Sequence, residues 1–109
     1  MNETNCDAIR AARLLRFVYE GYERIVEPHT YGVNSAGHEA VSGWLVGGWS
    51  ASATEPGWRM FLVAEMRDVA SLAEPFTGPR GGYNADDPHF VRIYCQVGHS
   101  SAGASSASA

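Results

Sequence analysis

Apolar side chains recur along the first half of the chain in two rhythms. Between residues 5 and 16, Ile9, Ala12 and Leu15 with Ala8 and Ala11 share one face at helical spacing, while Arg10 and Arg13 fall on the other. Asn5 or Thr4 is placed to cap this helix, and Asp7 suits its positive end. At Phe17 the period shortens to two, and Phe17 and Tyr19 lead a strand into a turn at Gly21. Ile25 and Val26 carry a second strand that Pro28 limits. Its continuation over Thr30–Val33 runs into Asn34-Ser35-Ala36-Gly37, a hairpin signal. A third strand spans Glu39 to Trp49, and its glycines at 43, 47 and 48 predict strong bending or a bulge. Ser50–Gly57 reads as a polar loop and Trp58–Glu65 as a fourth strand.

Further on, the pattern is less one-sided. Residues 67–76 suit either a short fifth strand or a helical turn, and 77–88, with Pro79, Gly81, Gly82 and Asp86-Asp87-Pro88, form a long loop. Phe90–Val97 satisfies both periods, and its β-branched and aromatic content favours a strand. Residues 98–109 contain only Gly, His, Ser and Ala; they have nothing large to bury and are expected to be a disordered tail. The expected architecture is therefore one domain over 1–97, α+β but mainly β: an N-terminal helix packed on a small, strongly curved β-barrel of about five strands. Phe17, Tyr19 and Phe61 belong to its core or rim. Trp49 and Trp58, on either side of the 50–57 loop, are expected to pair across strands.

Composition narrows what such a domain does. Twelve acidic residues against eight basic ones give a net charge of −4, which argues against a broad cationic surface for duplex nucleic acid and leaves room only for a local basic pocket. All eight cations are arginine, which reads first as codon composition. No apolar run approaches the roughly 20 residues of a membrane span, and the first residues lack a signal-peptide layout, so no membrane association and a cytoplasmic location are expected. In that setting Cys6 and Cys95 are expected to be two reduced thiols. About 97 ordered residues make a marginal core, which an oligomer or a partner protein would help.

The words Leu14-Leu15-Arg16-Phe17-Val18-Tyr19-Glu20-Gly21 and Arg24-Ile25-Val26-Glu27-Pro28-His29 resemble the opening of a WYL domain. Trp44-Leu45-Val46-Gly47 is similar to the core motif of that family, Trp58-Arg59-Met60-Phe61 to its W-R-T-F strand, and Glu74-Pro75-Phe76 to its closing D/E-P-F. The matches keep the family's order over roughly residues 8–76. The resemblance implies an SH3/Sm-like barrel used in bacteria as a ligand-sensing, regulatory module, often for nucleotide or nucleic-acid ligands. Two arginines that look central to the family's basic pocket are Leu62 and Glu65 in this chain, and Arg67 is displaced by two positions from the second. Only about seven residues precede the first helix, too few for a helix-turn-helix, so a stand-alone, diverged module is expected.

Candidate chemistry follows from placing the arginines. Arg24 on the second strand and Arg59 on the fourth are expected to clamp a phosphate or carboxylate, with Tyr31 and Trp44 as stacking surfaces and His29 bordering the pocket. The blander alternative pairs these arginines with Glu23, Glu27 or Glu55 at the surface. The four histidines and two cysteines show no metal-ligand spacing, Asp86-Asp87 reads as a solvated turn, and Gly98-His99-Ser100-Ser101-Ala102 lacks the strand, helix and downstream partners of a nucleophile elbow. No catalytic set, metal or cofactor is therefore expected. The expected function is non-enzymatic binding of a small anionic ligand such as a nucleotide or a short single-stranded nucleic acid. The alternative is a protein-interaction or structural barrel that has lost the sensor pocket, with Leu62 and Glu65 as the marks of that loss.

Overall fold

The computed structural model describes residues 3–49 and 56–97, with the backbone alone at 47–49. One helix, α1 (Glu3–Ala11), precedes strands β1 (Arg13–Tyr19), β2 (Tyr22–Asn34), β3 (Glu39–Trp49), β4 (Gly57–Leu62), β5 (Arg67–Pro75) and β6 (Phe90–Gln96), with a 3-10 turn at Val63–Glu65. The fold is mainly β, with α1 packed on the sheet. The strands run in the order β4-β3-β2-β1-β5, and β6 pairs with β2. The predicted tail and residues 50–55 of the predicted loop lie outside the described residues.

The helix is shorter than its apolar stripe suggests. It starts at Glu3, so Thr4 and Asn5 lie inside it and do not cap it. It stops because Ala12 takes a left-handed conformation, φ 53°, with its N–H donating to the Ile9 carbonyl. Leu15 lies on the extrapolated helical stripe, yet it is buried as a strand residue alternating with Phe17. Glu20 (φ 55°) and Gly21 (φ 82°) then form a two-residue turn closed by the Tyr19↔Tyr22 pair, the geometry that right-twisted hairpins favour.

Pro28 does not end the second strand: β2 runs through it for 13 residues. One edge of β2 pairs with β1 up to Val26 and with β6 from Thr30, so Pro28 falls in the interval where a missing N–H interrupts neither ladder. Register shifts between Ile25/Val26 and Pro28/Thr30 bend the β2–β3 ribbon there. Gly43 sits opposite, and a Cβ on it would lie 2.5 Å from the Glu27 carbonyl oxygen.

The curl brings β4 round to β1. Phe61 meets Phe17 edge-on with ring centroids 4.9 Å apart and Tyr19 at 5.0 Å, and the Tyr19 hydroxyl accepts a hydrogen bond from the Leu62 N–H. Around this trio the core gathers Ile9, Leu15, Val26, Tyr31, Val41 and Leu45. No ladder among the described residues joins β4 to β5, so six strands form an open, curled sheet where about five in a barrel were expected.

The cysteines depart from expectation. Cys6 on α1 and Cys95 on β6 are joined in a disulfide, Cα to Cα 5.8 Å, across 89 residues of sequence. Both are buried, and the bridge fastens the helix to the last strand. The expected reduced thiols rested on the compartment assigned to the chain; the fold brings the two side chains together.

Candidate functional site

On one face of the bent ribbon, β2 presents Glu27 and His29 while β3 and β4 set Trp44 directly opposite Trp58. The indoles cross at 87° with centroids 5.8 Å apart. Trp58 thus pairs with Trp44, and Trp49, the expected partner, lies opposite Glu23 on β2.

The long 77–88 loop folds back onto this face. Phe76 and Tyr83, aromatic residues at either side of the Gly-Pro-Arg-Gly-Gly segment, both approach the His29 ring, at 5.6 and 5.5 Å, while Trp58 approaches it at 4.8 Å. Arg80, between them, reaches Glu27 with two parallel bonds, Nε to Oε1 at 2.7 Å and Nη2 to Oε2 at 2.9 Å. Its guanidinium lies over the Trp44 ring, 5.1 Å from the centroid. Gly82, at φ +90°, turns the chain so that the Gly81 carbonyl accepts the Trp58 indole N–H at 2.9 Å.

His29 is the pivot of this arrangement and has no solvent exposure. Its Nδ1 lies 2.7 Å from the Glu27 carbonyl oxygen, which requires a proton on Nδ1; its Nε2 then accepts the Arg80 backbone N–H at 3.1 Å. The ring is therefore neutral. Burial holds its pKa below the ordinary value, against the upward pull of the Glu27 carbonyl and carboxylate. The Arg80 pKa is raised by its bond to Glu27, and burial pushes the Tyr83 phenol up.

Beside the cluster lies a cleft of about 240 Å³ lined by Thr30, Ser42, Trp58, Tyr83, Asn84 and Asp87, with Gly82, Pro88 and His89 completing it. Its lining combines the two aromatic side chains Trp58 and Tyr83 with hydroxyl, amide and carboxylate groups. His89 donates from Nδ1 to Asp87 Oδ1, 2.8 Å away.

Of the five residues expected at a ligand site, His29 and Trp44 join this cluster and the other three are placed elsewhere. Tyr31 is fully buried, stacked edge-on to Tyr94 and hydrogen-bonded to Glu39. Arg24 is held by the Glu20 carboxylate and the Tyr19 carbonyl, beneath the rings of Tyr19 and Tyr22. Arg59 donates to the Trp58 carbonyl. Arg24 lies opposite Gly48 and Arg59 opposite Gly43, five residues apart along β3, or about 16 Å. Their guanidiniums are anchored separately and form no common clamp.

Sequence reasoning missed Arg80, Trp58 as a site residue, and Tyr83. The available signal was an arginine in a Gly/Pro turn bracketed by Phe76 and Tyr83, since aromatic anchors at both sides of a loop predict that it packs back on the sheet. Among the described residues no group of three or more His, Cys, Asp or Glu is placed to hold a metal ion, and no helix is long and apolar enough to cross a membrane. No family model, curated protein or solved structure matches the chain.

Proposed function

We propose that the chain is a non-enzymatic binding module for a base-bearing anion, a nucleotide or a short single-stranded nucleic acid, as the WYL resemblance implies. The observation that carries this reading is the cleft lined by Trp58 and Tyr83 together with Thr30, Ser42 and Asn84, in which the one carboxylate, Asp87, is engaged by His89. A base stacks on the indole, a contact worth about 1–3 kcal/mol, and the polar groups meet its edge. Arg80, two residues before Gly82 of the cleft, uses Nε and one Nη2 hydrogen on Glu27, which leaves its Nη1 hydrogens for a phosphate oxygen. Because the guanidinium is already neutralised by Glu27, stacking supplies most of the affinity, and binding depends only weakly on salt.

The curled sheet behind the site is consistent with an SH3/Sm-like barrel left open at the β4 and β5 edges. The buried Cys6–Cys95 bridge suits a compartment where thiols stay oxidised, which runs against the cytoplasmic placement read from the sequence. Rapid alkylation of freshly lysed cells separates these placements by whether Cys6 and Cys95 are labelled.

The test is tryptophan fluorescence of the full chain titrated with adenosine 5′-monophosphate, adenosine and a short oligo-dT. Saturable quenching is expected, weakened about tenfold by Ser42→Ala with Asn84→Ala. Arg80→Gln weakens the monophosphate but not adenosine. Quenching by none of the three, with a stable dimer in solution, would instead support the interaction-barrel reading.

A further inference from the structure

A second cleft lies at the other end of the β3–β4 ribbon, away from the Trp58 face. Its volume is about 550 Å³, and it is lined by Gly37, His38, Glu39, Leu62, Val63, Ala64 and Glu65. The Ala40↔Leu62 pair ends the β3–β4 ladder. Beyond it the chain leaves the ladder in the 3-10 turn Val63–Glu65, while β3 comes from the tight Asn34–His38 turn. Both turns line the cleft, and Leu62, Val63 and Ala64 supply its apolar side chains.

Its carboxylates are Glu39 and Glu65, and the His38 imidazole also lines it. Glu39 accepts the hydroxyl of Tyr31 on Oε1 at 2.8 Å, and because Tyr31 is fully buried in the core this bond fixes the carboxylate in place. Oε2 of Glu39 and the whole carboxylate of exposed Glu65 have no ion-pair partner among the described residues. No arginine lines the cleft, in contrast to the Glu27–Arg80 pair at the other face. A cleft lined by apolar side chains and by two carboxylates without an ion pair among the described residues, one of them held by the Tyr31 hydroxyl, is complementary to a molecule with an apolar body and a cationic end. An anion placed there would meet like charge on both sides, and a neutral hydrocarbon would leave both carboxylates unused.

We propose that this cleft is a second ligand site, separate from the Trp58 cleft, and that it takes a small amphiphilic amine. The ammonium lies between Glu39 and Glu65, and the hydrocarbon lies on Leu62, Val63 and Ala64. The site does not depend on nucleotide binding at the first cleft.

The probe is n-hexylammonium, compared with n-hexanol and n-hexanoate at matched ionic strength, followed by amide chemical shifts of the full-length protein. Saturable shifts confined to residues 37–39 and 62–65 are expected with the ammonium and are absent with hexanoate. Glu39→Gln and Glu65→Gln each weaken binding about fivefold. If Glu39→Gln disturbs the fold through Tyr31, unaltered melting of exposed Glu65→Gln keeps the test sound. Equal affinity for hexanol and hexylammonium, or undiminished binding by Glu65→Gln, would overturn the proposal. So would shifts centred on Trp58 and Tyr83.

Discussion

Removing the Cys6–Cys95 bridge is the perturbation whose size follows most directly from the structure. The bond spans 89 residues, nearly the whole folded chain. Closing a loop of that length in the unfolded state corresponds to about 4.6 kcal/mol at 25 °C from chain entropy, and measured losses for native bridges in small domains run about 2–5 kcal/mol. A domain of this size has roughly 5–15 kcal/mol in total, so reduction should leave it near the edge of folding. At about 4–8 °C per kcal/mol, the chain-entropy figure implies a melting point lower by roughly 20 °C or more. Local geometry points the same way, because α1 has only nine residues and is held to β6 through Cys6. The assay is thermal unfolding of oxidised protein against Cys6→Ser/Cys95→Ser, with amide exchange reporting on α1. A double variant melting within about 3 °C of the oxidised protein, with α1 equally protected, would refute the reasoning. Two alkylatable thiols in non-reduced, folded protein would refute the pairing itself.

Other expectations are as direct. Ala12→Gly relieves a left-handed alanine at the end of α1 and should stabilise the fold by about 1 kcal/mol in urea unfolding. Phe61→Ala removes the ring that joins β4 to Phe17 and Tyr19 and should cost about 3–5 kcal/mol by the same assay. His29 is held neutral with its pKa below the ordinary value, so the unfolded chain takes up its proton first; the stability this group contributes is full above about pH 6.5 and is lost as pH falls toward the folded pKa. Urea midpoints at pH 7 and pH 5 should therefore differ less in His29→Gln than in the parent, and an unchanged difference would remove His29 as the cause. Gly82→Ala puts a side chain at φ +90° with its Cβ 3.0 Å from the Trp58 indole nitrogen, and should loosen the loop and shift the Trp58 emission.

Much of the sheet was legible because its signals are local. The glycines of β3 and the Asn34–Gly37 turn gave Glu39–Trp49 its observed limits, and the β-branched and aromatic run at 90–97 was strand as expected. The helix end was hidden because Ala12 occupies a position where glycine is the usual marker, while Leu15 prolongs the helical stripe by coincidence. Pro28 misled because its harmlessness depends on where β1 ends and β6 begins, a fact about two other strands. The site suffered most from distance along the chain. Glu27 and Arg80 lie 53 residues apart, and the cysteines 89 apart, and no local pattern announces such pairs. Arg24 and Arg59 looked alike by their strand positions, but each is tied down by its own neighbourhood.

The central claim is that the Trp58 cleft is where the ligand sits. An amide shift map of the full chain titrated with adenosine 5′-monophosphate tests it most directly. The account predicts saturable shifts at residues 30, 42, 58, 82–84 and 87–89, with the Trp58 indole N–H among the largest and residues 37–39 and 62–65 unmoved. Shifts that cluster instead around Arg24 or Arg59 and leave the Trp58 indole in place, or none at all up to millimolar nucleotide, would contradict it.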